Sequence, residues 1–137
     1  MSPDKIIEKI SLFCKDQRDI ISAFLFGSYA TERERPCSDI DIALLLEDNK
    51  KGCFPYLDFK IALERSLKAN VDLIILNQAD ETLKYQVRRY GKIIYDADPR
   101  LRKKWEILSR KLFQDFLYLH QIYMSKLRKY YGVEDGK

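Results

Sequence analysis

The sequence predicts an α/β (α+β) domain: a small mixed β-sheet flanked by helices, with a long C-terminal amphipathic helix. Three observations predict it. Apolar runs of strand length stand at Ile20–Phe26, at Ile40–Leu46 and within Val71–Leu76. Segments with helical spacing lie between and around them. From Pro99 to Tyr131 apolar residues recur every three or four positions without interruption.

Taken in order, the first element is an amphipathic helix over about Pro3–Lys15, with Ile6, Ile7, Ile10 and Phe13 on one stripe and Ser2-Pro3-Asp4 as its cap and first turn. The first strand, Ile20 to Phe26, ends at Gly27-Ser28. A charged loop leads to the second strand, Ile40 to Leu46. Asp48-Asn49-Lys50-Lys51-Gly52 reads as a loop by composition. About Pro55–Lys68 reads as a helix, with apolar Tyr56, Leu57, Phe59, Ile61, Leu63 and Leu67 set among charges. The third strand follows, and strand-helix-strand connectivity can lay it beside the second. A short helix runs through Thr82 to Tyr90 with Gly91 as its C-cap, and Lys92 to Tyr95 forms a short edge strand.

The charges inside the strands are the chemically informative residues. Asp39 and Asp41 are two positions apart, and the strand period of two points both to one face, opposite Ile40, Ile42 and Leu44. Carboxylates held side by side repel, and burying them is costly unless a cation compensates. A divalent metal is the natural compensation. Gly27-Ser28 ends an apolar run, where backbone N–H groups can face an anion. Asp72 is the one charge in the apolar run from Val71 to Leu76, and an aspartate there needs a partner. If the third strand lies beside the second, the three aspartates meet at one phosphate-and-metal site.

Gly27-Ser28-Tyr29-Ala30, Ser38-Asp39-Ile40-Asp41-Ile42-Ala43 and Val71-Asp72-Leu73-Ile74 together resemble the signature of the DNA polymerase beta-like nucleotidyltransferases. Within that superfamily the chain is similar to the minimal nucleotidyltransferases, the MNT proteins paired as antitoxins with HEPN-domain ribonuclease toxins. The resemblance continues through Leu76-Asn77 and Gly91-Lys92-Ile93-Ile94-Tyr95 into the terminal helix. It implies a nucleotidyltransferase fold, ATP as substrate and two Mg2+ ions. It also implies nucleotide contacts from Gly27, Ser28 and Ser38, metal ligation by Asp39, Asp41 and Asp72, and help from Asp72 in deprotonating the attacking hydroxyl. Two metals suffice for an in-line displacement at phosphorus, so no catalytic histidine or cysteine is expected. The implied reaction is transfer of AMP to a tyrosine of the toxin. One position departs from the family pattern, Glu32 standing where a second glycine is usual. A carboxylate there would oppose the phosphates, with Arg33 and Arg35 as neighbours that can offset it.

Composition fits this reading. With 137 residues, 46% apolar and 34% charged, the chain supports one core, divided here into residues 1–97 and a helical extension, 98–137. No apolar run of 18 residues and no signal segment is present, so a soluble, cytoplasmic protein without membrane contact is expected. Cys14, Cys37 and Cys53 have neither disulfide nor zinc spacing.

The terminal helix carries one stripe from Leu101 through Trp105, Leu108, Leu112, Phe116, Leu119, Tyr123 and Leu127 to Tyr130. A second comprises Phe113, Leu117, His120, Met124 and Tyr131. Two readings stand: both stripes cover the sheet, or the distal half packs on another chain, as a homodimer or against the toxin. His120 is expected at a core edge or interface. The helix holds nine Lys or Arg against Glu106 and Asp115, a local +7 in a chain of net charge +4. A solvated polar face is expected, with direct nucleic-acid binding unfavoured. Two further function classes are compatible: an antitoxin that neutralises by binding alone, and a nucleotidyltransferase of the antibiotic-modifying kind.

Overall fold

The computed structural model describes residues 3–27, 39–47 and 53–132. Ser2, Ser28, Glu32, Ser38 and Cys37, and the loop at 48–52, lie outside them. The chain orders as α1 (Pro3–Lys15), β1 (Ile20–Phe26), β2 (Ile40–Leu46), α2 (Tyr56–Leu67), β3 (Val71–Ile75), a 3-10 turn (Leu76–Gln78), α3 (Glu81–Tyr90), β4 (Lys92–Asp96) and α4 (Pro99–Tyr131).

The four strands form one mixed sheet in the order β3-β2-β1-β4. β1 is antiparallel to both β2 and β4, while β2 and β3 run parallel through the α2 crossover. The expected alternation in β2 is borne out: Ile40, Ile42, Leu44 and Leu46 pack with Ile6 and Ile10 of α1 and Phe59 and Leu63 of α2. Ala43 and Leu45 face the other way, into a smaller cluster with Phe24, Leu76, Val87 and Trp105. Helices therefore cover both faces, which is why the strands are apolar almost throughout.

Local chemistry sets the element ends. Asp80 caps α3 by accepting from Leu83 N at 2.7 Å, and Asp98 caps α4 by accepting from Leu101 N at 3.2 Å, with Pro99 in the first turn. Asn77 closes the far end of β2: its Oδ1 accepts from Leu46 N at 2.9 Å and its Nδ2 donates to Leu46 O at 2.8 Å. The side-chain amide replaces the strand neighbour that β3 no longer supplies. Gly91 is the C-cap of α3, but its backbone is extended (φ −74°, ψ 152°) rather than left-handed. A Cβ there would overlap the Val87 carbonyl, so close approach is what calls for glycine at this position.

The contacts that anchor α4 to the sheet lie in its first part. Ser22 Oγ donates to Asp96 Oδ1 at 2.6 Å, and Arg102 Nε donates to Asp96 Oδ2 at 3.0 Å while its Nη1 donates to Glu106 at 2.7 Å. Trp105 packs on Phe24, and Ser109 is buried. Beyond it the helix is largely exposed, with Phe116 39%, Leu119 63% and Tyr123 60% exposed. The reading in which both stripes cover the sheet is corrected: the distal half lies past the reach of a four-stranded sheet.

Candidate functional site

Strand register decides which carboxylates meet. Asp41 pairs with Asp72 across the parallel β2–β3 ladder, and with Phe26 across β1, whose next residue is Gly27. Neighbouring strands lie about 4.8 Å apart, so Asp41 and Asp72 stand side by side on the face shared with Ala43 and Leu45. Asp39, two residues earlier, extends the same row at the mouth of the sheet. Asp39 and Asp72 are exposed and Asp41 is half-buried. The row is therefore accessible from solvent.

Gly27 has φ +72°, and a Cβ on it would overlap the Asp41 carboxylate. Two separate constraints thus require glycine: a left-handed backbone and a carboxylate occupying the place of a side chain. Gly27 brings the end of β1 against the row of aspartates.

The electrostatics are those of crowded anions. The Asp41 carboxyl is raised from 3.8 to about 6, first by burial, then by the charges of Asp72 and Asp39 and by a hydrogen bond with Asp72. Asp41 and Asp72 form the tight pair, with Asp39 acting on it through its charge. Among the described residues no group of three His, Cys, Asp or Glu side chains closes around a point as a metal cage. Magnesium fits this donor set, because it is held by one or two carboxylates together with substrate phosphates and water rather than by an all-protein cage.

The other titratable candidates lie elsewhere. Cys14 is buried in the core and its thiol is pushed up to about 12 by burial, so it is no nucleophile. His120 stacks on Phe116 at 6.0 Å on the exposed part of α4. Among the described residues no helix is long and apolar enough to cross a membrane.

Comparison with known proteins shows the family. The sequence pattern of the family described as "Polymerase beta, Nucleotidyltransferase" matches residues 8–100, spanning Gly27, Asp39, Asp41 and Asp72. The Methanocaldococcus jannaschii protein named "Putative protein adenylyltransferase MJ1379" is 38% identical over 71 residues, 51% of this chain and 71% of that protein. Among solved structures, a chain from a toxin-antitoxin with AMP-PNP superposes with TM-score 0.74 at 24% identity, covering 93% of this chain and 98% of that one. A chain from the tri-AMPylated Shewanella oneidensis HEPN toxin in complex with MNT antitoxin gives TM-score 0.70 at 21% identity, covering 92% and 98%. The family match covers more than half of the chain, and the fold accords with it: the chain belongs to the polymerase beta nucleotidyltransferases.

Proposed function

We propose that this chain is the antitoxin of a HEPN-domain ribonuclease and silences it by transferring AMP from ATP to a tyrosine hydroxyl, with magnesium. The observation that carries the reading is the register that sets Asp41 beside Asp72, with Gly27 held against Asp41. The likeness to chains from toxin-antitoxin complexes, one with AMP-PNP and one with an AMPylated HEPN toxin, supports the choice of nucleotide and partner.

In this reading Asp39, Asp41 and Asp72 would hold the magnesium ions, which would neutralise the phosphates and the developing charge on the oxygens. Gly27, with Ser28 and Ser38, receives the triphosphate. The tyrosine oxygen bonds to the α-phosphorus as the bond to the pyrophosphate oxygen breaks, and Asp72 takes the phenolic proton and passes it to water. The chain's contribution is placement, since holding nucleotide and hydroxyl in line removes much of the entropic barrier.

The test is incubation with α-labelled ATP, Mg2+ and a HEPN-domain protein of the same genome. Label should appear on the HEPN protein and be lost with Asp41→Asn. A complex that forms while no label transfers would sink the catalytic reading.

A second reading rests on the exposed apolar stripes of α4: neutralisation by binding alone. It predicts that the Asp39→Asn, Asp41→Asn double variant still protects cells from the toxin.

A further inference from the structure

β3 is an edge strand: among the described residues it ladders with β2 on one side and with no strand on the other. Asp72 is its second residue, exposed between the buried Val71 and Leu73. The backbone at Asp41 is held from both sides, by β1 and by β3. At Asp72 the ladder supplies only the inner half of that support, so the open side decides how firmly this carboxylate is placed.

The ladder fixes which peptide groups face that open side. Ile40 N donates to Asn70 O at 2.9 Å, and in a parallel pair the residues of a strand then present their backbone groups alternately inward and outward. Asp72 therefore turns its own N–H and C=O toward β2, and Val71 and Leu73 turn theirs away from it. Two side chains of α2 meet these outward groups. Glu64 Oε2 accepts from Val71 N at 3.1 Å, and Tyr56 Oη donates to Leu73 O at 2.5 Å. The two bonds fall one residue before and one residue after Asp72.

Side-chain bonds also serve as plain covers for a strand edge. Here they are confined to the peptides around one residue. Among the described residues no side chain bonds the backbone of Ile74 or Ile75, where the same edge borders an open cleft of about 670 Å³. Nor is Glu64 held there by a cation, since among the described residues it forms no ion pair. The Tyr56 ring packs against the core, which fixes the point from which its hydroxyl reaches the strand. Both side chains are half-buried, so water competes only in part for these bonds.

We propose that Tyr56 and Glu64 are positioning residues for Asp72: by holding the peptides on either side of it, they keep the edge carboxylate opposite Asp41. They act through the strand and not on the nucleotide. A ligand set serves its site only when supporting groups hold it to within about 0.5 Å, which an edge strand laddered on one side does not ensure. The inference rests on the role proposed above for Asp72 as a magnesium ligand.

The experiment is calorimetric titration of the full chain with Mg2+ in the presence of α,β-methylene-ATP, which cannot give up AMP, together with thermal unfolding. Tyr56→Phe keeps the ring in the core and removes only the hydroxyl. Glu64→Ala removes the acceptor, and Glu64→Gln returns an acceptor oxygen without the charge. Tyr56→Phe and Glu64→Ala should each weaken Mg2+ binding about tenfold, while Glu64→Gln binds as the parent does. Asp72→Asn should weaken it more than either, and adding Tyr56→Phe to Asp72→Asn should change nothing further. A lowered unfolding temperature with Mg2+ affinity unchanged, while Asp72→Asn still weakens binding, would overturn the positioning role and leave Tyr56 and Glu64 as covers of the edge. Unchanged binding in Asp72→Asn, or no Mg2+ binding by the parent chain, would overturn the reading of Asp72 as a ligand and this inference with it. If Glu64→Ala does not fold, Tyr56→Phe decides alone.

Discussion

The carboxylate of Asp41 occupies the space a side chain on Gly27 would need. The end of β1 and the middle of the aspartate row are therefore one steric unit: Gly27 cannot take a side chain while the Asp41 carboxylate stays in place.

Gly27→Ala should destabilise the protein by about 1–3 kcal/mol, from a left-handed backbone and the overlap together. Nucleotidyl transfer should fall at least tenfold as Asp41 is displaced. In an Asp41→Gly background the cost of Gly27→Ala should shrink, because only the backbone contribution is left. Thermal unfolding of the four proteins in this cycle measures the coupling; additive costs would show that the overlap is relieved elsewhere.

Ionisation of Asp41 should make the metal-free protein less stable as pH rises. Its carboxyl is raised in the folded state from 3.8 to about 6, so the stabilising contribution of the protonated form is complete below pH 4 and lost through pH 6. After allowance for solvent screening the loss is on the order of 1 kcal/mol. Asp72→Asn removes the largest neighbouring charge and should lower the Asp41 titration only in part, because burial, the first cause of the shift, remains, as read by NMR of its side-chain carbon. Mg2+ with a nucleotide should recover stability most at pH 7 and above.

Asn77→Ala should cost about 2 kcal/mol, because it strips both hydrogen bonds from the buried Leu46 backbone. Asn77→Asp keeps the acceptor and sets a carboxylate against the Leu46 carbonyl, so it should be worse at pH 7 than at pH 4. Urea unfolding at the two pH values checks the order.

Leu119→Gln with Tyr123→Gln should leave the unfolding temperature within a degree or two, since these residues are 63% and 60% exposed. The same pair should weaken the complex with the HEPN protein at least tenfold. A lowered unfolding temperature of the isolated chain would place this stripe against its own core instead.

What could be read from the chain was local. The bounds of α1, β1 and β2 agree with the structure because each is marked by its own periodicity and ended by its own turn residue. Asp39 and Asp41 were legible as one row from the strand period alone. Gly91 was legible as a helix end but not in conformation: its need for glycine comes from the Val87 carbonyl, a contact no cap rule encodes. The hold of Tyr56 and Glu64 on β3 was not legible, since in the sequence Tyr56 reads as one of the apolar residues of its helix and Glu64 as one of the charges around them.

By itself the sequence determined the elements, the apolar and charged faces of each strand, and the residues that carry the family's chemistry, because those follow from spacing along one chain. Only the tertiary structure decided that Asp72 stands opposite Asp41 rather than Asp39, that Gly27 is pressed against that same carboxylate, and that the distal stripes of α4 face solvent. A parallel register and a helix longer than its sheet are relations between elements, set by how the whole set packs, and a one-residue shift in either would leave the sequence pattern unchanged.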